Sequence, residues 1–117
     1  MSQRFPKALR LRKRREFLKV QEGGVKISSG PLLALALARK DALPTRLGIT
    51  VSTKVGPAVL RTRLRRKIRE WFRKAREELP GGLDLLVIAR KSAADTRAEA
   101  FDKAFDAIAL QLGRRFA

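Results

Sequence analysis

The chain contains no cysteine, no histidine and no tyrosine, and only one tryptophan among 117 residues. Without cysteine there are no disulfides, no thiolate zinc sites and no thiol nucleophile. Without histidine the commonest general base and the commonest metal ligand are lost together. The groups left for proton transfer are 11 carboxylates and the lysines, which disfavours catalysis by the protein itself. Long apolar runs are missing as well. The longest, Pro31 to Ala38, falls far short of the roughly 20 residues that span a bilayer. The opening Met1-Ser2-Gln3-Arg4-Phe5-Pro6 lacks the apolar stretch of a signal peptide, so a cytoplasmic location is expected.

Acid is scarce where base is abundant. The 28 Lys and Arg residues outweigh the acids to a net charge of +17. The imbalance is uneven: positions 1–80 carry 22 bases and 6 acids, whereas positions 81–117 carry 6 and 5. Such a field repels itself and favours a polyanionic partner, nucleic acid before a small-molecule substrate. An anionic membrane surface is the weaker competitor, because the basic helix described below carries charge nearly all round. At 44% hydrophobic residues the chain is still apolar enough to build one modest core, and a single domain over 1–117 is expected, with 1–8 flexible.

The pattern along the chain predicts the order α-β-β-α-β-α. A short basic helix is expected over Lys13 to Gln21, ended by Gly23-Gly24, with Phe17 and Val20 on one face. Strands are expected over Leu32 to Arg39, Arg46 to Thr53 and Leu83 to Arg90, with a further short one near Val25 to Ser28. The link Lys40 to Thr45 is short enough to join the first two as an antiparallel hairpin. Gly56-Pro57 opens a long helix that Pro80-Gly81-Gly82 ends near Leu79, with Leu60, Leu64, Ile68, Trp71, Phe72 and Ala75 on one stripe. Thr96 and Glu99 fit a capping box for a last helix ending near Gly113. An α+β fold follows, a small sheet covered by helices.

The long helix carries the functional signal. Nine bases, seven of them arginine, lie between Arg61 and Arg76, with Glu70 as their only acid. At 100° per residue, Arg65, Arg66, Arg69, Arg73 and Arg76 share one arc of about 100° away from the apolar stripe. Guanidinium binds phosphate through paired donors and stacks on bases, which ammonium cannot do. A basic helix beside a small sheet suits recognition of RNA by shape and phosphate, although charge alone does not separate RNA from DNA. Phe17 could stack on a single-stranded base or simply fill the core. Trp71 and Phe72 read as core. Asp102 and Asp106 read as surface charge rather than a metal pair, and Asp84 as a structural carboxylate.

The 25 residues from Arg46 to Glu70, RLGITVSTKVGPAVLRTRLRRKIRE, resemble the signature of the bacterial ribonuclease P protein subunit. That family pattern is approximately R-hydrophobic-G-hydrophobic-x-V-S-x-K-hydrophobic-G-x-A-V-x-R-N-R-x-K/R-R-x-x-R-E. The resemblance extends more loosely to the first helix and to Asp84 through Lys91. It implies an α/β sandwich with about four strands in a mixed sheet, three helices and a left-handed βαβ crossover. It also implies a catalytic RNA partner that, with Mg²⁺, removes the 5′ leader of precursor tRNA, leaving no catalytic residue in the protein. The matching positions Lys54, Arg61, Arg63, Arg65, Arg66 and Arg69, with Thr62 among them and Arg73 on the same arginine arc, would contact the catalytic RNA. Arg12, Lys13, Phe17 and Arg90 would line a leader-binding cleft. Thr62 stands where the family usually has Asn, Gln21 and Leu35 where it often has further cleft aromatics, and Thr53 and Pro57 where Lys or polar residues are common. Two other functions remain to be separated from this one: a ribosomal-type RNA scaffold, and a nuclease using its own carboxylates.

Overall fold

The computed structural model describes residues 10–11, 13–39 and 41–116. Helix α1 (Arg14–Gly23) is followed by strands β1 (Val25–Ser29), β2 (Leu32–Ala38) and β3 (Arg46–Val51). A short 3₁₀ turn at Thr53–Val55 leads into α2 (Ala58–Ala75), then β4 (Leu83–Ala89), a second 3₁₀ turn at Lys91–Asp95, and α3 (Ala98–Phe116). The short strand expected near Val25 is therefore present as β1.

Sheet order is β1-β2-β4-β3, with β3 and β4 parallel and the other pairs antiparallel. The hairpin expected between β2 and β3 does not form, because β4 lies between them. The physical reason is visible in β4 itself. Six of its seven residues are buried, so it needs cover on both faces and both edges, and the centre of the sheet provides it. The link between β2 and β3 instead passes the start of β4 and is stitched to it. Gly82 donates its amide to the Leu43 carbonyl at 2.9 Å and accepts the Arg39 amide at 2.7 Å. Thr45 Oγ1 accepts the Leu83 amide at 3.1 Å and donates to the Pro80 carbonyl at 2.5 Å. Gly82 makes this turn at φ 75°, a left-handed conformation that favours glycine.

Alternation along the strands sorts side chains onto two faces. One face carries Ile27, Ala34, Ala36, Leu47, Val51, Leu85 and Val87, and packs with Leu64, Ile68 and Phe72 of α2 and Phe101, Phe105, Ile108 and Leu112 of α3. Helix α2 lies over β3, and α3 over β1 and β2. The predicted stripe of α2 is thus its buried face, and Ile68 and Phe72 are essentially inaccessible. Trp71 is half-buried and stacks on Phe105 with centroids 4.9 Å apart, which joins α2 to α3. The other face of the sheet carries a smaller cluster of Leu35 and Leu86 with Val20 of α1 and Leu11, against which Phe17, Leu37 and Ile88 pack.

Element ends differ from expectation by a few residues. Helix α2 stops at Ala75 and the chain continues as a turn in which Glu78 and Leu79 donate to the Ala75 carbonyl. The capping box at Thr96 and Glu99 does not form. Thr96 Oγ1 turns back to donate to the Ser92 carbonyl at 2.7 Å, and the Arg97 carbonyl takes the first α3 amides. The last helix runs past Gly113 to Phe116.

Candidate nucleic-acid interface

With its apolar stripe buried, α2 must present its remaining positions outward. Thr62, Arg63, Arg66, Arg69, Arg73, Lys74 and Arg76 are exposed, as is Lys54 in the turn before the helix. Arg61 and Arg65 differ. They are half-buried at the start of the helix, where Arg61 Nε donates to the Gly56 carbonyl at 3.2 Å and Arg65 Nη2 to the Val51 carbonyl at 3.4 Å. Arg65 thus shares an arc with Arg69 by helical geometry but leans toward β3. Arg73 donates through Nε and Nη2 to the Glu70 carboxylate, and Lys74 lies 3.7 Å from it. The hydrogen bond from Arg73 holds Glu70 below its ordinary pKa and raises that of Arg73 in return, so this pair stays ionised.

A groove of about 1280 Å³ runs between α2 and α3, with Arg63, Arg66, Lys67 and Arg69 among its α2 lining and Asp102 and Asp106 on the α3 side. Lys67 Nζ sits 5.5 Å from the centre of the Phe101 ring, a cation–π contact that directs this lysine toward α3. Asp102 and Asp106 are exposed. Among the described residues no three acidic side chains gather closely enough to hold a metal ion.

The second candidate surface is on the opposite face of the sheet, beside α1. Strand register arranges this face in rows. Arg46, Asp84 and Leu37 form one row; Gly48, Leu86, Leu35 and Lys26 the next; Thr50, Ile88, Leu33 and Ser28 the third. Helix α1 covers the middle row, where Leu35 and Leu86 are buried. The third row is left partly open: Thr50, Ile88 and Leu33 are half-buried and Ser28 is exposed. Phe17 is half-buried at the border of α1, its ring close enough to Gly48 that a Cβ there would lie 2.9 Å from Cε1. Arg90 follows β4 on the same side, with Nη2 donating to Ser28 Oγ at 2.6 Å and Nη1 to the Gly30 carbonyl at 3.3 Å. Lys13 is exposed at the start of α1, and Arg12 lies outside the described residues.

The structure therefore brings the α2 bases to one surface and puts Phe17 and Arg90 on another. Gln21 is exposed on α1, but Leu35 lies buried beneath that helix and offers no open stacking position. Thr50, Leu33, Ile88 and Ser28 were missed by sequence reasoning. Alternation indicates the face each takes, but the row depends on which strands are neighbours.

The first row is ionic. Asp84 is buried and accepts from Arg39 Nη1 at 2.6 Å and from Arg46 through Nε and Nη2 at 2.8 and 2.9 Å. The Asp84 bonds raise the Arg46 pKa against the effect of burial. Burial likewise opposes the charge of Arg39, but its bonds to Asp41 and Asp84 outweigh it and the net shift is upward. Asp84 is thus a structural carboxylate.

A family model described as Ribonuclease P matches residues 5–113. The chain belongs to the ribonuclease P protein family. A curated relative from Gluconacetobacter diazotrophicus, named Ribonuclease P protein component, is 49% identical over 85 residues, covering 72% of this chain and 73% of that one. The solved ribonuclease P protein of Staphylococcus aureus is 31% identical with a TM-score of 0.80, covering 95% of this chain and 100% of that chain. That of Thermotoga maritima is 32% identical with a TM-score of 0.76, covering 90% and 96%. Membership makes the chain a protein component of ribonuclease P, an endoribonuclease holoenzyme of tRNA 5′ processing whose partner is the ribonuclease P RNA. The mixed four-stranded sheet with three helices agrees with that family, and β3-α2-β4 is its parallel crossover unit.

Proposed function

We propose that the exposed arginines of α2 bind the sugar-phosphate framework of the catalytic RNA, while the open row beside Phe17 receives the single-stranded 5′ leader of precursor tRNA. The observation that carries the first part is the division of α2 into a buried apolar stripe and an exposed face bearing Arg63, Arg66, Arg69, Arg73 and Arg76. Guanidinium groups fixed on a packed helix present paired donors to phosphates without ordering a loop. Lys54 and Thr62 extend this surface toward the start of α2, and the carbonyl-bound Arg61 and Arg65 border it.

The second part is supported by chemistry of a different kind. Phe17, Ile88 and Leu33 offer half-exposed apolar surface, suited to the faces of unstacked bases. Arg90, held by Ser28 and Gly30, supplies a preordered cation at one edge for the leader's phosphates, and Lys13 a second at the start of α1. Bond breaking falls to the RNA and the Mg²⁺ ions it binds, in a cytoplasmic holoenzyme. The protein neutralises phosphates and so lets productive metal binding occur at lower Mg²⁺.

The deciding experiment adds the protein to a bacterial ribonuclease P RNA at low Mg²⁺ and follows removal of the leader. Faster cleavage with RNA present, and none with protein alone, is the expected result. Binding without any change in rate would reduce the protein to a scaffold, and cleavage by protein alone would make it a nuclease in its own right.

A further inference from the structure

Holding a leader against Phe17 requires that α1 be fixed on the sheet. Helix α1 has ten residues, too short to be stable alone, and Val20 is its only buried side chain. Its apolar seat on Leu35 and Leu86 lies under the middle of the helix. A separate attachment secures its beginning. Glu16 Oε1 accepts the Lys13 amide at 3.0 Å, and Oε2 accepts from Arg46 Nη1 at 2.8 Å. Arg46 is itself locked on β3 by its paired bonds to buried Asp84. One carboxylate therefore links the first turn of α1 to the ionic row of the sheet, and the next residue along the helix is Phe17.

We propose that Glu16 is a positioning residue for the leader-binding surface: by joining the start of α1 to Arg46 it holds the Phe17 ring in place over Gly48. This rests on the reading of that surface as the leader site. The chemistry requires an acid. The Lys13 amide and Arg46 bond to different oxygens of Glu16, and in the same pose glutamine puts its donor-only NH₂ at one of those two positions, opposite another donor. Glu16→Gln therefore releases one of the two ties with almost no change of shape.

The test uses holoenzyme reconstituted with a bacterial ribonuclease P RNA, with equilibrium binding of precursor tRNA and of mature tRNA. Glu16→Gln is expected to weaken precursor binding by about twofold to fivefold, with a much smaller effect on mature tRNA. A double-mutant cycle with Phe17→Ala is expected to be sub-additive, because a displaced ring has less left to lose. Hydrogen exchange on the free protein supplies a readout that general destabilisation would not mimic: α1 amides should exchange faster in Glu16→Gln while β4 amides keep their rates. Equal losses for both RNAs, full additivity, or unchanged α1 exchange would each overturn the proposal. If Phe17→Ala discriminates between the two RNAs and Glu16→Gln does not, the positioning role fails alone. If Phe17→Ala itself does not discriminate, the leader reading falls and takes this role with it.

Discussion

The Phe17 ring packs against the bare backbone of Gly48, where a Cβ would lie 2.9 Å from its Cε1 and 3.1 Å from Leu11 Cβ. Glycine at this position of β3 is therefore a packing requirement, since it lets both α1 and the segment before it close on the sheet. Gly48→Ala should push the ring outward and destabilise the fold by about 1–3 kcal/mol, the usual range for overpacking. Denaturant unfolding measures this as a lower midpoint at unchanged slope. A midpoint equal to that of the parent would show that α1 yields without strain.

Asp84 bonds two guanidinium groups at once, and removing its charge leaves Arg39 with Asp41 and three carbonyls, and Arg46 with Glu16, as their other acceptors. Asp84→Asn retains the shape but leaves Arg39 and Arg46 facing a neutral amide. A loss of about 3 kcal/mol is expected, at the low end for a broken buried pair because Arg46 keeps some access to water. A loss under about 1 kcal/mol in urea unfolding would mean that water and the acceptors these arginines already have make good the lost charge.

Asp41 offers a test by pH. The hydrogen bond from Arg39 holds its carboxyl below its ordinary pKa, aided by the Leu43 amide. A carboxylate depressed in the folded state stabilises the fold above its unfolded pKa, and that contribution is lost as pH falls through the folded value. Asp41→Asn should therefore be less stable than the parent at neutral pH, with the two curves converging in acid below the ordinary carboxylate range. A gap that stays constant into acid would assign the effect to something other than this charge.

Much of this structure is legible in the sequence because it depends on short-range periodicity. The α2 stripe of Leu64, Ile68 and Phe72 and the α3 series from Phe101 to Leu112 follow from 3.6-residue spacing, and the buried faces are those the pattern marks. The exposed arginine face follows by subtraction. The pairing of strands does not, because it is decided by competition between whole elements. A six-residue link permits a β2–β3 hairpin, yet β4 is more apolar than β3 and takes the place beside β2. The open row of Thr50, Ile88, Leu33 and Ser28 was hidden for the same reason, since it exists only once β4 is inserted. The Glu16–Arg46–Asp84 chain joins residues far apart in sequence, and no local pattern announces it.

Arg69 and Arg73 stand one turn apart on the exposed face of α2, but only Arg73 is bonded to Glu70. A phosphate approaching Arg73 must displace or share a carboxylate, whereas Arg69 is open to it. Removing one arginine–phosphate pairing should make the dependence of RNA affinity on salt shallower by about 0.7–0.9 in the slope of log K against log salt. Arg69→Ala should show that full change, and Arg73→Ala a smaller one with a smaller drop in affinity. Filter binding of the ribonuclease P RNA over a series of salt concentrations measures both quantities. Equal changes for the two variants would show that RNA outcompetes Glu70 and that Arg73 is as available as its neighbour. No change for either would remove this face of α2 from the RNA interface.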